Sequence, residues 1–158
     1  MPSVVVTFLA SFLIWFLFLG MMILWIIDGK FKKEYVLHAL FAVAILFFLT
    51  FFIKELFYIN RPYIVDHVRP LTFTVPQDGS FPSFHTAMAF AIATTIFLHD
   101  RKVGLWFFLG AMLVALGRVM ADVHYPSDAM FGAIIGFLVA WLVARSHMFG
   151  LIQTTRRK

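Results

Sequence analysis

Long apolar runs alternate with short polar breaks along the chain, and the run lengths, rather than an amphipathic period, set the elements. Pro2 to Ile27 carries no charged residue, and about 20 such residues suffice for a helix to cross a bilayer. The run exceeds a signal-peptide core and lacks both a basic segment before it and a small-residue cleavage site before Asp28, so it reads as a retained span. A second run, Val36 to Ile53, is broken only by His38 and Thr50. Its helix closes just past Lys54 and no later than about Asn60, because the residue before Pro62 is disfavoured in the helical region.

From Arg61 to Pro82 the pattern changes: Pro62, Pro70, Pro76 and Pro82 accompany Asp66, His67, Arg69 and Asp78, and Pro76 to Ser80 is turn-like. This stretch predicts a loop outside the hydrocarbon. Three further spans follow at His85–Leu98, Val103–Ala121 and Ala129–Ala144, the first and last of them short enough to need flanking polar residues at their ends. The expected architecture is all-α, a polytopic membrane helix bundle of about five transmembrane helices with an interfacial loop between the second and third. Residues 1–158 form one membrane-embedded domain in this reading, with no internal repeat. Gly132, Gly136 and Ala140, and less strictly Ala111 and Ala115, recur at helical spacing and predict close helix contact, within the bundle or between two copies.

Composition agrees with the pattern. The 158 residues are 62% hydrophobic and 13% charged, with 21 Phe, against about 45–50% apolar and roughly 25% charged in soluble domains. A water-soluble globule is thereby excluded. The absence of cysteine removes disulfides, thiolate metal sites and cysteine nucleophiles. The formal charge of +5 is read as a topology signal rather than as affinity for nucleic acid. With five spans, Lys30, Lys32, Lys33, Arg101, Lys102, Arg145, Arg156, Arg157 and Lys158 fall on one side and only Lys54, Arg61, Arg69 and Arg118 on the other. The basic side is cytoplasmic by the positive-inside rule, which puts the C-terminus inside and the second and fourth loops outside.

Three polar clusters map to that outer face: Lys54 with Arg61, Ser83 with His85, and Arg118 with His124 and Asp128. Ionisable groups at the ends of spans are costly unless they face a polar cavity or a partner. Singly, each has an ordinary reading: Lys54 as a snorkelling anchor, Arg61 as a loop charge, and His85 as a helix start beside a Ser cap. Jointly they describe an anion site with two histidines and a carboxylate for proton and nucleophile chemistry. His124 and Asp128 are four apart, so a helical turn near Pro126 brings them together. Asp128 then either fixes the imidazole tautomer of a nucleophile or simply caps the helix, leaving His124 interfacial.

These residues resemble the tripartite signature of the type 2 phosphatidic acid phosphatase superfamily of integral-membrane lipid phosphatases, which shares its site with vanadium haloperoxidases. Lys54 followed after six residues by Arg61-Pro62 matches the first part. Pro82-Ser83-Phe84-His85 matches the second, with Phe84 in place of the motif glycine. Gly117-Arg118, five residues, His124, three residues and Asp128 match the third, with Gly117 in place of serine. Members commonly have six spans; the one not counted here would precede the second span and leave the site intact.

The resemblance implies that His124 attacks phosphorus, that Asp128 orients it, and that His85 protonates the leaving oxygen and then activates water. It implies that Lys54, Arg61, Ser83, Arg118 and the amides near Phe84 hold the phosphate, without metal or cofactor. Phe84 must then point away from the phosphate, and Gly117 removes a hydroxyl from around it. The implied substrates are lipid phosphates or pyrophosphates, with undecaprenyl pyrophosphate favoured over phosphatidylglycerophosphate and lipid A 1-phosphate. The bilayer itself is the other partner. A non-enzymatic anion binder or transporter would need the cations but not the two histidines. A vanadate-dependent peroxidase would share the anion site but makes little sense of an embedded chain.

The remaining polar residues receive structural readings: His38, His67, His99 and His147 as interfacial or packing residues, Tyr58, Tyr63 and the four Trp as belt or packing residues, and Asp66, Arg69 and Asp78 as solvated loop charges in preference to groups that reach a second phosphate or a headgroup. Arg156, Arg157 and Lys158 read as a topology-setting or headgroup-touching tail.

Overall fold

The computed structural model describes residues 2–27 and 33–146; His147 and the basic tail lie outside them. Among the described residues the architecture is all-helical. Helix α1 (Ser3–Ile27) is followed by α2 (Lys33–Leu56), a one-turn α3 (Pro62–Val65), α4 (Phe84–His99), α5 (Arg101–Met120) and α6 (Pro126–Arg145). Four of these are long and apolar enough to cross a membrane, and α4 is a shorter apolar helix. The chain is thus a multi-pass membrane protein whose helices follow the apolar runs of the sequence to within a few residues.

Helix α4 is the hub, packed by α1, α2, α5 and α6. Its small side chains explain why: Ala87, Ala89, Ala91 and Ala93 are fully buried, and Thr94 and Thr95 satisfy their hydroxyls on the carbonyls of Phe90 and Ala91 at 2.7 and 2.9 Å. A helix with so little side-chain bulk admits neighbours on all sides. The small stripe on α6 supplies the matching surface. A Cβ on Gly132 would stand 2.6 Å from the Ser83 carbonyl oxygen, and one on Gly136 would stand 2.3 Å from that of Ala87. Ala140 packs in the same cluster as Ala87 and Ala91. The stripe therefore seats α6 against α4 within the bundle.

Helices α4 and α5 are joined through Asp100, whose carboxylate accepts from the amides of Lys102 and Val103 at 2.8 and 3.0 Å and so caps α5. His99 stacks on Tyr35, and His38 is buried within α2, both as packing residues. His67, Asp66 and Arg69 are exposed in the loop. The first helix departs from regularity at Phe8–Phe12, where one π-helical turn closes from the Leu13 amide to the Phe8 carbonyl. That turn faces the end of α5, and its role appears in the site.

Candidate phosphate site

Each polar residue reaches the site for a local reason. Lys54 lies in the last turn of α2 and is buried. Arg61 is extended at φ −73°, ψ 151° because Pro62 follows it, and Pro62 opens α3 where its missing N–H costs nothing. Two amides pin this loop to the α5–α6 turn: Tyr63 donates to the Asp122 carbonyl at 2.9 Å and Leu71 to that of Ala121 at 3.2 Å. Asp122 itself adopts φ 58°, a left-handed conformation that Asp tolerates better than most residues. Ser83 precedes α4 at its N-terminus, yet its hydroxyl pairs with that of Thr86 at 3.0 Å and caps no backbone amide. The expected Ser cap is therefore absent there.

The three clusters meet. Arg61 donates from Nη1 to the Val123 carbonyl at 2.7 Å, and the same nitrogen lies 3.3 Å from Nε2 of His124. On the other side of the ring, Nδ1 of His124 faces Oδ2 of Asp128 across 3.6 Å, longer than a hydrogen bond, with both side chains 2% exposed. Oδ2 also accepts from the Ser80 hydroxyl at 2.5 Å and from the Tyr125 amide at 2.9 Å. Asp128 thus caps α6 and backs His124 at once, and His124 is buried rather than interfacial.

His124 is surrounded by positive charge. Burial outweighs the opposing effect of Asp128, and with Arg118, Arg61 and Lys54 nearby the imidazole is pushed down to about 3. It is neutral at neutral pH, with Nε2 directed at the guanidinium of Arg61. Arg118 donates from Nη1 to the Ala10 carbonyl of the π turn at 3.1 Å, and its buried Nε has no hydrogen-bond partner.

The two departures from the family pattern have structural reasons. Phe84 turns toward α2 and meets the ring of Phe47 edge-on at 5.8 Å. Gly117 lies against the π turn of α1, where a Cβ would come within 2.6 Å of Leu9 Cβ and 2.7 Å of its carbonyl carbon. The hydroxyl of the motif serine gives way to the close approach of α1.

Three participants escaped the sequence reading. Asp78 is more than a solvated loop charge: though its side chain is 56% exposed, its carboxylate bridges Lys54 Nζ at 2.5 Å and Arg61 Nη2 at 2.8 Å. Burial alone would raise that carboxyl, but Lys54 and Arg61 hold it at about 2. Gly79 offers its carbonyl to the same two cations, at 2.8 and 3.2 Å, and Ser80 ties the loop to Asp128. The turn-like stretch leading into Ser83 was the available signal. No group of three or more His, Asp or Glu side chains among the described residues converges as a metal cage would.

Residues 35–150 match the PAP2 superfamily, and the chain belongs to it. It is 34% identical over 145 residues to the bacitracin transport permease protein BcrC of Bacillus licheniformis, covering 90% of this chain and 70% of that one. Undecaprenyl-diphosphatase BcrC of Bacillus subtilis is 25% identical over 124 residues, 77% of this chain and 63% of its own length. Among solved structures, that of Aquifex aeolicus LpxE superposes with a TM-score of 0.76 at 32% identity, covering 91% of this chain and 86% of its own.

Proposed function

We propose that residues 1–158 act as one membrane-embedded lipid phosphatase that hydrolyses a terminal phosphate through a phosphohistidine on His124. The observation that carries this reading is the setting of His124: a buried, neutral imidazole with a carboxylate behind Nδ1 and the cations Arg61, Arg118 and Lys54 around it. A nucleophile needs its lone pair free and its ring held, and a developing phosphoryl charge needs fixed cations.

In this mechanism Nε2 of His124 forms the bond to phosphorus as the bridging P–O bond breaks, and His85 gives its proton to the departing oxygen. His85 then takes a proton from water, whose oxygen displaces the histidine and releases inorganic phosphate. Lys54, Arg61, Arg118, Ser83 and the first amides of α4, beginning at Phe84, hold the three non-bridging oxygens.

Undecaprenyl pyrophosphate is the favoured substrate, on the strength of the Bacillus subtilis relative's name, with phosphatidylglycerophosphate and lipid A 1-phosphate as the other two members of the class. The charge distribution supports a cytoplasmic-membrane location with the site facing outward. Phosphate release across a panel of these three lipids, with His124→Ala and Arg118→Ala as controls, tests the reading. Release by the native chain and none by His124→Ala is expected; full activity in His124→Ala would sink the phosphohistidine.

The Bacillus licheniformis relative's name favours a second reading, a transporter using the same cations to bind phosphate without turnover. Such a protein would bind lipid phosphates yet release no inorganic phosphate.

A further inference from the structure

A cavity of about 400 Å³ opens between α1 and the long loop, lined by Ser11, Phe12 and Trp15 of α1, Phe73 of the loop, and His85 and Arg118 of the cation cluster. The helix and loop are clasped together: the Phe73 amide donates to the Ser11 hydroxyl at 3.0 Å, and the rings of Phe12 and Phe73 meet edge-on at 5.5 Å. Phe12, Trp15 and Phe73 nevertheless keep 38%, 64% and 75% of their surface exposed, leaving ring faces for a ligand.

Displacement at phosphorus sets the direction of the leaving group. Attacking and leaving atoms lie roughly in line, so an attack from Nε2 of His124 sends the bridging oxygen out on the opposite side. The acid that protonates that oxygen marks where it goes, and His85 lines this cavity. A second cavity beside the site, bordered by Lys54, Asp78 and Phe84, measures about 130 Å³ and touches neither histidine. Pockets that enclose small organic molecules run about 300–1,000 Å³, which the first cavity meets and the second does not.

On the phosphatase reading above, we infer that this cavity is the leaving-group subsite, where Arg118 reaches from the transferred phosphoryl group to the second phosphate of a prenyl diphosphate and the first isoprene units lie against Phe12, Trp15 and Phe73. Arg118 suits the anionic part, since its Nε is buried without a partner and only Nη1 is committed, to Ala10. The three aromatic rings suit an unsaturated aliphatic chain, and Ser11 holds the loop in place over it.

The test uses the full chain in detergent with farnesyl diphosphate and with inorganic pyrophosphate, whose leaving phosphate reaches Arg118 but carries no chain for the rings. Phe12→Ala and Phe73→Ala should each raise KM for farnesyl diphosphate about tenfold, the scale of a few lost apolar contacts, while kcat/KM for pyrophosphate stays within about twofold. Phe137→Ala, in a separate apolar groove, should move neither. Equal effects on both substrates, or none on either, would overturn the subsite. Binding of a non-hydrolysable farnesyl bisphosphonate gives a readout independent of turnover: it should change the Trp15 fluorescence, seen as the difference between native protein and Trp15→Phe. An identical change in Trp15→Phe would refute the placement even where no lipid is hydrolysed. Binding with the expected difference but no hydrolysis of any lipid would instead refute the phosphatase reading and leave the subsite standing.

Discussion

Arg61 and Asp78 grip each other twice, through Nε to the Asp78 main-chain carbonyl and Nη2 to its carboxylate, both at 2.8 Å. With Val123 and Gly79 included, four of the five N–H groups of Arg61 have acceptors, and the remaining one, on Nη1, faces Nε2 of His124. Asp78 thus sets the orientation of two of the three cations. Asp78→Ala should lower kcat/KM about ten- to a hundredfold, the range for one charge-assisted hydrogen bond. Asp78→Asn, which keeps one acceptor oxygen, should recover part of it. Steady-state kinetics on the three variants measure this, and an unchanged Asp78→Ala would remove Asp78 from the site.

The two histidines should separate in a trapping experiment. With a phosphorus-labelled lipid and an acid-sparing quench, native protein should carry label in an acid-labile, base-stable bond, and His124→Ala should carry none. His85→Asn should slow turnover by about 10²–10⁴. Label on His124→Ala would point to a different nucleophile.

Restoring the family residue in Gly117→Ser should harm this chain. The new Cβ must push aside the backbone of α1 at Leu9, and overpacking of that kind costs about 1–3 kcal/mol. A lower Tm in detergent is expected, together with lost activity as Ala10 is moved off Arg118. A Tm equal to or above that of the native chain would contradict the close approach.

For His124, folding lowers the pKa from its ordinary 6.5 to about 3. Between those values the unfolded chain binds the extra proton, so this contribution to stability is complete above pH 6.5 and is lost as the pH falls toward 3. Asp78 behaves likewise lower down: with its pKa depressed from 3.8 to about 2, its share is present above 3.8 and lost on falling through 2. Histidine-labelled NMR, with the His124 signal assigned by its loss in His124→Gln, should find a neutral ring at about pH 5. A midpoint near 6.5 would mean that burial and the cations do not govern it.

The orientation is open to chemistry because the chain has no cysteine of its own. Gln77→Cys, exposed in the long loop, should react with an impermeant maleimide in intact cells, and Lys158→Cys should react only after lysis. The reverse pattern would invert the topology.

How much the sequence disclosed depended on what kind of group carried the information. Spans were legible because an uncharged run longer than a bilayer core has few alternatives, and Lys54, Arg61, His85, Arg118, His124 and Asp128 drew attention because ionisable groups gather at one set of span ends with the spacing of a single signature. Asp78 was not: an acidic residue in a turn looks the same whether it meets water or, as here, a cation 17 residues away. The Ala10 contact lay deeper still, since a main-chain carbonyl has no letter of its own and its partner is 108 residues distant. Phe84 and Gly117 could be seen as departures, but only the packing of Phe47 and Leu9 gives the reason for each.

The brevity of α4 has a consequence for what can reach His85. Its 16 residues span about 24 Å at roughly 1.5 Å each, some 6 Å less than a hydrocarbon layer of about 30 Å. Arg101 and Lys102 follow directly at its far end and hold that end at the headgroups, so the shortfall falls on the Phe84 end. On the proposed reading, the phosphate would therefore be processed below the surface rather than on it. A soluble ester would have to leave bulk water to get there, whereas a lipid already has its tail at that depth, so immersion acts as a filter before any side chain reads the substrate.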